Sequence, residues 1–248
     1  MNTSKIEWTE QTWNPSTGCT KISEGCTNCY AENMSKRLKA MGANGYENGF
    51  SFNLMPERLN QPLKIKKATK FFVNSMSDIF HEQMPFSYLD DIFEVIEKTP
   101  QHTYQILTKR EKIMAEYLKN KNLPINVWLG VTVESKLTKY RIDYLRDINA
   151  TIKFLSLEPL LSNLGELNLD NIHWAIVGGE SGPKARPMKS EWVIDIKKQC
   201  EEQNVAFFFK QWGTWGSDGV KRSKKVNGRV LNGKIYNEYP ELLKEHIL

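Results

Sequence analysis

Short, almost continuously apolar runs recur along the chain, and each has the length of a buried β-strand. They occupy residues 71–74, 104–107, 127–131, 153–157, 174–177 and 206–209, with an earlier candidate at residues 6–8. Runs that are apolar at nearly every position indicate strands covered on both faces, as in a parallel sheet. The pattern therefore predicts six or seven strands of one parallel sheet.

Amphipathic segments separate several of these runs. Apolar residues recur at helical spacing in four of them. They are Leu89, Ile92, Phe93 and Ile96; Ile113, Met114, Tyr117 and Leu118; Leu137, Tyr140, Tyr144 and Ile148; and Val193, Ile196 and Cys200. Strands and helices alternating at intervals of about 20–35 residues are typical of repeated βαβ units. We therefore predict an α/β fold, a full or partial parallel (β/α) barrel, with an open doubly wound sheet as the alternative.

The final stretch of the chain has a different pattern. Asn227-Gly228 and Asn232-Gly233 are dipeptides typical of hairpin turns, and short β-type runs flank them. Upstream of them, no Pro/Gly/Ser-rich linker interrupts the alternation of strands and helices. We predict a barrel domain over residues 1–212 and a β-hairpin appendage over residues 213–248 that packs on the same domain.

Composition excludes several classes of protein. The 248 residues are 40% apolar, 25% charged and 11% aromatic, which is not the composition of a disordered chain. No apolar run approaches the roughly 20 residues of a membrane span. The opening residues contain no apolar segment, so we expect no secretory signal. We therefore expect a cytoplasmic protein without a membrane partner, whose four cysteines do not form a disulfide scaffold.

The excess positive charge is concentrated near the C-terminus. The net charge is +5, and residues 213–237 account for all of it. Cations for phosphates beside aromatic rings for base stacking favour a nucleic-acid contact, whereas the alternative is a solvated basic hairpin over two core tryptophans. The residues that would make this contact are Lys221, Arg222, Lys224, Lys225 and Trp215, with Arg229, Lys234 and Trp212 nearby.

Three of the four cysteines lie close together in the sequence. Cys19, Cys26 and Cys29 stand in a C-x6-C-x2-C arrangement, within a segment rich in Gly, Ser, Thr and Asn. A structural zinc ion would need a fourth protein ligand, whereas an iron–sulfur cluster held by three cysteines leaves one iron open. The alternative to a metal site is a set of ordinary thiols. Cys200 lies on the apolar face of a predicted helix and is interpreted as a buried structural thiol.

A helix is predicted directly after the third cysteine, over residues 29–41. Its apolar positions are Tyr30, Met34, Leu38 and Met41. The positive N-terminus of such a helix favours thiolates.

Polar residues follow the ends of the apolar runs. In a parallel barrel these ends meet at one rim, where active sites lie, so the sequence predicts a polar pocket there. The alternative is that the strands simply end in polar loops, and that Arg110 begins a surface helix rather than binding a carboxylate or phosphate. The residues are Ser75, Ser77, Asp78, Lys109, Arg110, Thr132, Glu134, Glu158, Gly178, Gly179, Glu180, Lys210 and Gln211.

Four segments of the chain carry a family resemblance. IEWTEQTWNPSTGC, CTNCYAE, SLEPLL and IVGGESG resemble the phage-associated three-cysteine-motif family, and with the βα repeats they resemble radical S-adenosylmethionine enzymes, distantly spore photoproduct lyase. The cysteine spacing departs from the C-x3-C-x2-C of those enzymes. Asn28 stands where an aromatic residue usually precedes the third cysteine.

The resemblance implies a chemistry and a set of sites. Cys19, Cys26 and Cys29 would hold a [4Fe–4S] cluster that cleaves S-adenosylmethionine to a deoxyadenosyl radical, with electrons from a donor such as a flavodoxin. The resemblance implies that the segment with Ser75, Ser77 and Asp78 receives the methionine amino group. From their positions at the strand ends, Thr132, Glu134, Gly178 and Gly179 are further candidate cofactor contacts, and Glu158, Glu180 and Lys109 are candidate catalytic residues. For the two glycines the alternative is a tight strand-to-loop turn.

The favoured function is thus that of a bacterial or phage-encoded radical enzyme that modifies or repairs a nucleic acid or nucleotide. Two alternatives stay open. One is a non-catalytic nucleic-acid-binding protein stabilised by a metal ion or cluster. The other is a barrel enzyme with a structural metal and hydrolytic or transfer chemistry.

Overall fold

The computed structural model describes residue 4 and residues 6–241. The strands are β1 (Gln11–Trp13), β2 (Ser16–Thr17), β3 (Asn53–Leu54), β4 (Lys70–Val73), β5 (Thr103–Thr108), β6 (Val127–Thr132), β7 (Ile152–Leu157), β8 (Trp174–Gly178) and β9 (Ala206–Gln211). The α-helices are α1 (Tyr30–Ala40), α2 (Pro56–Leu59), α3 (Phe86–Glu97), α4 (Glu111–Leu118), α5 (Arg141–Arg146), α6 (Ser190–Glu202) and α7 (Lys224–Asn227). None of these described helices has the length and apolar character needed to cross a bilayer.

Seven strands form one sheet in the order β1-β4-β5-β6-β7-β8-β9, while β2 and β3 form a small antiparallel sheet. The pairings of β1 with β4, β4 with β5, β7 with β8 and β8 with β9 are parallel. Helices α3, α4, α5 and α6 lie in the connections between consecutive strands. The predicted α/β fold is confirmed, and it is the partial barrel, because β1 and β9 are the two ends of the strand order.

The apolar runs predict the strands closely because burial dictates their composition. The six later runs correspond to β4 through β9 within two residues at either end, and β6, β7 and β8 are buried at every position. The strand predicted at residues 6–8 is wrong. Those residues precede β1 as a turn, from which Trp8 packs edge-on against Phe72 with ring centroids 4.7 Å apart.

Two predicted apolar helix faces are not buried. The segment around residues 137–148 is broken into a 3₁₀ turn, Lys136–Thr138, and the short α5. This break turns Ile142 and Leu145 inward and leaves Leu137 78% exposed. Helix α1 forms as predicted, yet Met41 is 77% exposed because α1 buries Ala31 and Ser35 instead.

The chain forms two compact units. Within the described residues, the first contains everything up to Ile22, together with Cys29–Gly130 and Ile148–Thr151. The second contains Ser23–Asn28, Val131–Asp147 and the chain from Ile152 onward. Aromatic rings pack in both cores: Tyr104 contacts Trp13 and Phe71 in the first unit, and Trp174 contacts Phe154 and Phe208 in the second.

The C-terminal segment contains two antiparallel bridges, Trp215 with Lys221 and Leu231 with Lys234. Asn232 and Gly233 both have positive φ, 48° and 75°, as a two-residue hairpin turn requires, so the turn predicted there is confirmed. The turn predicted at Asn227-Gly228 is wrong, because these residues end α7. The assignment of residues 213–248 to an appendage on the same domain stays a prediction.

Candidate functional site

The cysteine loop, residues 19–29, carries three cysteines that form no disulfide. Cys19, Cys26 and Cys29 are partly exposed, Glu24–Cys26 form a 3₁₀ turn, and Cys29 is the N-cap of α1. Cys200 differs, because it is fully buried in α6 and burial raises the pKa of its thiol to about 12. It is the buried structural thiol that its position on an apolar face predicts.

The donor chemistry of the loop fits a soft metal or an iron–sulfur cluster. Three cysteines in one accessible loop, none of them in a disulfide, supply the thiolates that such groups take as ligands. Across residues 6–241, no three His, Cys, Asp or Glu side chains lie close enough together to hold a metal ion. The structure therefore gives the donor set but no coordination geometry.

In the first unit, the backbone around Cys19 pairs with the segment after β4. The Gly18 amide donates to the Met76 carbonyl at 3.0 Å, and the Ser77 hydroxyl donates to the Gly18 carbonyl at 2.6 Å. Gly18 has φ +76°, and a Cβ there would lie 2.0 Å from a backbone oxygen, so only glycine fits. The structure thus uses the Ser77 hydroxyl to position the residue before Cys19.

Arg110 is a buried cation beside Cys19. Its Nη1 lies 3.5 Å from Cys19 Sγ and 3.1 Å from Asp78 Oδ2, and its Nε donates to Glu82 Oε2 at 2.7 Å. Its Nη2 donates to the Thr20 carbonyl at 3.2 Å. Arg110 is only 6% exposed although it is the N-cap of α4, so the alternative of a surface position is wrong.

The charges around Arg110 stabilise one another. Burial opposes the charge of the guanidinium, yet Asp78, Cys19 and Glu82 together raise the pKa of Arg110 above its usual range. Burial likewise opposes ionisation of Glu82, but hydrogen bonds from Arg110 and Thr20 lower its pKa to about 2. Arg110 and Glu82 therefore both carry their charges at neutral pH.

The Asp78 carboxylate accepts four hydrogen bonds from its own chain. Oδ1 accepts from the Phe80 amide at 3.0 Å and the Thr108 hydroxyl at 2.7 Å. Oδ2 accepts from the Lys109 amide at 3.0 Å and from Arg110 at 3.1 Å. Asp78 thus binds the last residue of β5, Thr108, and the two residues that follow it, Lys109 and Arg110.

His81 also lies beside the cysteine loop and was not among the predicted site residues. It is fully buried and stacks on Phe52 with ring centroids 4.2 Å apart. Its Nε2 lies 3.3 Å from the Thr20 hydroxyl, and its Nδ1 accepts from the Gln83 amide at 3.1 Å. Burial, and then the Arg110 charge, lower the pKa of His81, which keeps the imidazole neutral.

The other end of the loop is held at the start of α1. The Tyr30 hydroxyl donates to the Ser75 carbonyl, while the Ser75 hydroxyl donates to Asn14 Oδ1 at 3.2 Å. Cys29 packs against a buried cluster that includes Ala31 and Met76. The predicted residues Ser75, Ser77 and Asp78 are thus brought to Cys19 and Cys29 within one unit.

In the second unit, Glu134 is fully buried just beyond β6. Arg141 Nη1 donates to Glu134 Oε2 and to the Thr132 carbonyl, both at 2.9 Å. Glu134 Oε1 accepts a hydrogen bond from the Ser23 hydroxyl, and a Cβ on Gly25 would lie 2.9 Å from the same oxygen. The predicted residues Thr132 and Glu134 therefore share Arg141, and Glu134 contacts the loop.

Glu180 is the second buried carboxylate of this unit, 6% exposed. Arg186 donates to it through Nε at 3.0 Å, Nη2 at 2.6 Å and its amide at 2.8 Å. The Asn28 side-chain amide donates to Glu180 Oε2 at 3.0 Å. Although burial opposes ionisation, the hydrogen bonds from Arg186 and Asn28 lower the pKa of Glu180.

Glu158 forms a separate ion pair just beyond β7. Lys210 Nζ lies 3.0 and 2.9 Å from its two carboxylate oxygens, and Gln211 Nε2 donates to Oε1 at 3.1 Å. A Cβ on Gly178 would lie 3.0 Å from the Glu158 carboxylate carbon. Gln211 Oε1 is buried, and no residue in the described part of the chain donates a hydrogen bond to it.

Gly178 and Gly179 are needed for close packing of the strand ends. A Cβ on Gly179 would lie 2.0 Å from the Trp212 carbonyl oxygen, and one on Gly213 would lie 2.2 Å from the Glu180 carbonyl oxygen. These contacts agree with the alternative of a tight strand-to-loop turn. The Cβ directions of Gly178 and Gly179 thus point at other residues of the chain, the Glu158 carboxylate and the Trp212 carbonyl oxygen respectively.

Two cavities lie at other places. One, of about 310 Å³, is lined by residues of α3 and α4, and an open groove of about 1270 Å³ is lined by residues of α5, α6 and the 163–168 segment. Neither is lined by a predicted site residue.

Comparison with known proteins places the chain in a family. The family model described as "Protein of unknown function (DUF5131)" matches residues 3–240. The chain belongs to the DUF5131 family. Comparison with curated proteins gives no match for this DUF5131 protein. The association with phages stays a prediction.

Solved structures of spore photoproduct lyase are similar to the DUF5131 chain in fold. A mutant of that enzyme has a TM-score of 0.49 at 16% identity, covering 72% of this chain and 58% of the lyase. The lyase complexed with dinucleoside spore photoproduct has a TM-score of 0.46 at 12% identity, covering 81% and 63%. The chain thus spans about three fifths of the length of these structures, and the likeness concerns the fold alone.

The sequence did not single out two arginines of the site, Arg141 and Arg186. Arg141 and Arg186 lie in a predicted helical stripe and a Gly/Pro-containing segment, where an arginine is ordinarily solvated. Arg110 was selected only because it follows the end of a predicted strand. A carboxylate directly after a buried strand is the signal that would have indicated a nearby cation.

Proposed function

We propose that this protein is an iron–sulfur enzyme of the radical S-adenosylmethionine type that modifies or repairs a nucleic acid or nucleotide. The observation that carries the proposal is the state of the loop cysteines. Cys19, Cys26 and Cys29 form no disulfide and are partly exposed, and the loop leads into the N-terminus of α1, whereas Cys200 is buried. Three accessible cysteines without a fourth are the donor set of a cluster with one open iron.

The chain's own residues support thiolates at this loop. Cys19, Cys26 and Cys29 would hold three irons, and the bound cluster with S-adenosylmethionine would supply reductive cleavage and hydrogen abstraction. The N-terminus of α1 places partial positive charge beside Cys29, and the Arg110 guanidinium lies 3.5 Å from Cys19 Sγ. The Arg110 cation thus lies where a Cys19 thiolate ligand would carry its negative charge. An electron donor such as a flavodoxin is part of the proposal.

We assign the proposed reaction's polar groups from their contacts. Among the described contacts, the Glu158 carboxylate and its partner Lys210 are not tied to the cysteine loop, with both side chains less than one fifth exposed. We therefore place this pair toward the substrate. Lys109 as a catalytic residue, and Ser75, Thr132, Gly178 and Gly179 as S-adenosylmethionine contacts, stay predictions.

A second candidate is a non-catalytic nucleic-acid-binding protein stabilised by a cluster or metal. One observation favours it: the strand-end carboxylates are paired with cations of the chain itself. Four ion pairs of this kind are present: Asp78 with Arg110, Glu134 with Arg141, Glu158 with Lys210, and Glu180 with Arg186. The test that separates the two candidates is release of deoxyadenosine from S-adenosylmethionine by the reduced, cluster-loaded protein.

The proposed nucleic-acid contact involves fewer residues than the charge pattern of the sequence suggests. Trp212 is 2% exposed and its Nε1 donates to the Val230 carbonyl, so it is a core residue. Arg222 is held by two hydrogen bonds to Asp218. Lys221 Nζ lies 5.6 Å from the ring centre of half-buried Trp215. Exposed Lys224 and Lys225 of α7 are the cations best placed to contact phosphates.

Replacing Lys224 and Lys225 together with Ala is expected to flatten the salt dependence of nucleic-acid affinity. Each lost phosphate contact reduces the slope of log affinity against log salt by roughly 0.7–0.9, so the change is about 1.5. Titration of a labelled oligonucleotide at several salt concentrations measures it. The matched control replaces exposed Lys66 and Lys67 with Ala and should leave the slope unchanged. Absence of binding at low salt, or equal slopes in both variants, contradicts the assignment.

A further inference from the structure

We propose that Glu134 and Glu180 are positioning residues that clamp residues 23–28 and so preset the part of the cysteine loop that carries Cys26. The sequence places these glutamates among the cofactor-binding and catalytic groups. The contacts they make assign them instead to the loop. The significance of Cys26 rests on the proposed function, whereas the clamp itself is testable in metal-free protein.

The first grip lies before Cys26. Ser23 donates its hydroxyl hydrogen to Glu134 Oε1, and Gly25 approaches that carboxylate so closely that a Cβ would lie 3.0 Å from its Cδ. Arg141 holds the other oxygen, Oε2, at 2.9 Å. Glu134 is therefore fixed from behind by a buried cation and presents one oxygen to the loop.

The second grip lies after Cys26. The Asn28 side-chain amide donates to Glu180 Oε2 at 3.0 Å and to the Lys184 carbonyl at 2.9 Å. Arg186 holds Glu180 from the other side and also donates through Nη2 to the Glu24 carbonyl at 3.0 Å. Residues on both sides of Cys26 are thus bound to buried, charge-paired carboxylates.

The chemistry explains why carboxylates serve here. A buried carboxylate must be charge-paired and must have its remaining lone pairs satisfied, and each of these glutamates uses an arginine for the first need and a loop donor for the second. Charge-assisted hydrogen bonds of this kind are shorter and stronger than neutral ones. Loss of the Ser23 and Asn28 donors would loosen residues 23–28, while both ion pairs and the Arg186 hydrogen bond to the Glu24 carbonyl stay in place.

The test uses the full-length, metal-free protein with Ser23 and Asn28 both replaced by Ala. Amide exchange across residues 23–28 is expected to accelerate about tenfold or more, because two charge-assisted hydrogen bonds are lost. Alkylation of Cys26 by iodoacetamide, followed by peptide mass spectrometry, should accelerate as well. The matched control replaces Asn48 and Ser51, which contact neither glutamate, with Ala and should change neither rate. The thermal unfolding midpoint confirms that each variant is folded.

Conservative variants separate positioning from bulk stability. Ser23→Thr keeps the hydroxyl and should retain wild-type exchange and alkylation rates. Asn28→Asp replaces the donor by a carboxylate facing Glu180, so it should accelerate amide exchange and alkylation as much as Asn28→Ala does. Wild-type rates in the double Ala variant, or in Asn28→Asp, overturn the proposal. Because no metal is present, this result is independent of whether the wild-type protein later takes up iron.

Discussion

Replacing any one of Cys19, Cys26 or Cys29 with Ala is expected to remove most of the iron and acid-labile sulfide from anaerobically reconstituted protein. The wild type should hold about four irons and four sulfides per chain, the content of one [4Fe–4S] cluster. Each of the three thiolates would bind a different iron, so no remaining residue of the loop replaces a lost one. Iron and sulfide analysis, with the visible absorption of the cluster, measures the effect.

Cys200→Ala is the matched control for these variants. Cys200 is fully buried in α6, so its replacement should leave the iron and sulfide content unchanged. Stoichiometric zinc without sulfide in protein purified without air would contradict the cluster and favour a structural metal. Retention of full iron content in a single loop variant would contradict the three-cysteine donor set.

Arg110→Met is expected to lower the free energy of unfolding by about 3–5 kcal/mol, the effect of removing one partner of a buried ion pair. Methionine fills much of the same space but leaves the Asp78 carboxylate, 6% exposed, without its cation. It also removes the donors to the Thr20 carbonyl and hydroxyl beside Cys19. Chemical denaturation of the metal-free protein measures the change.

Arg222→Ala is the matched control, because Arg222 pairs with Asp218 at the surface. An exposed ion pair of this kind contributes little to stability, so the denaturation midpoint of Arg222→Ala should match that of the wild type. Equal destabilisation by the two variants would show that the buried ion pairs of Arg110 contribute no more to stability than an exposed ion pair does. A wild-type midpoint for Arg110→Met would exclude its role in holding the loop.

The strands were predictable because their burial leaves a direct trace in composition. In β7 all six positions are buried, and the apolar run at residues 153–157 reproduces that strand almost completely. Trp8 shows the limit of the rule, since an aromatic residue in a turn can pack into the core as well as one in a strand. Apolarity alone therefore overpredicted the first strand.

Helix faces were less predictable because spacing does not reveal where a helix breaks. Leu137 and Tyr144 of the predicted stripe belong to different elements, a 3₁₀ turn and α5, so one continuous stripe could not describe both. In α1 the small residues Ala31 and Ser35 pack inward, and the larger Met34 and Met41 remain exposed. A pattern that ranks residues by size and apolarity misses such close packing.

The expectation that polar residues directly after buried strands form the site identified the carboxylates but not the arginines that pair with them. It selected Asp78, Glu134 and Glu180 because each follows a buried strand. It carried no information that Arg141 and Arg186, from a helix and a loop, would reach those carboxylates. Pairing across the fold depends on tertiary geometry. We propose on this basis that Glu134, predicted as a cofactor contact, and Glu180, predicted as a catalytic residue, hold the cysteine loop instead.

The most direct test of the proposed function is the fate of S-adenosylmethionine with the reduced, cluster-loaded protein. The wild type, reduced with dithionite under anaerobic conditions, should release deoxyadenosine and methionine in equal amounts, detected by chromatography and mass spectrometry. Cys26→Ala carried through the same procedure should release neither. Intact S-adenosylmethionine after incubation with cluster-replete wild-type protein would contradict the radical enzyme and leave the non-catalytic nucleic-acid-binding protein in its place.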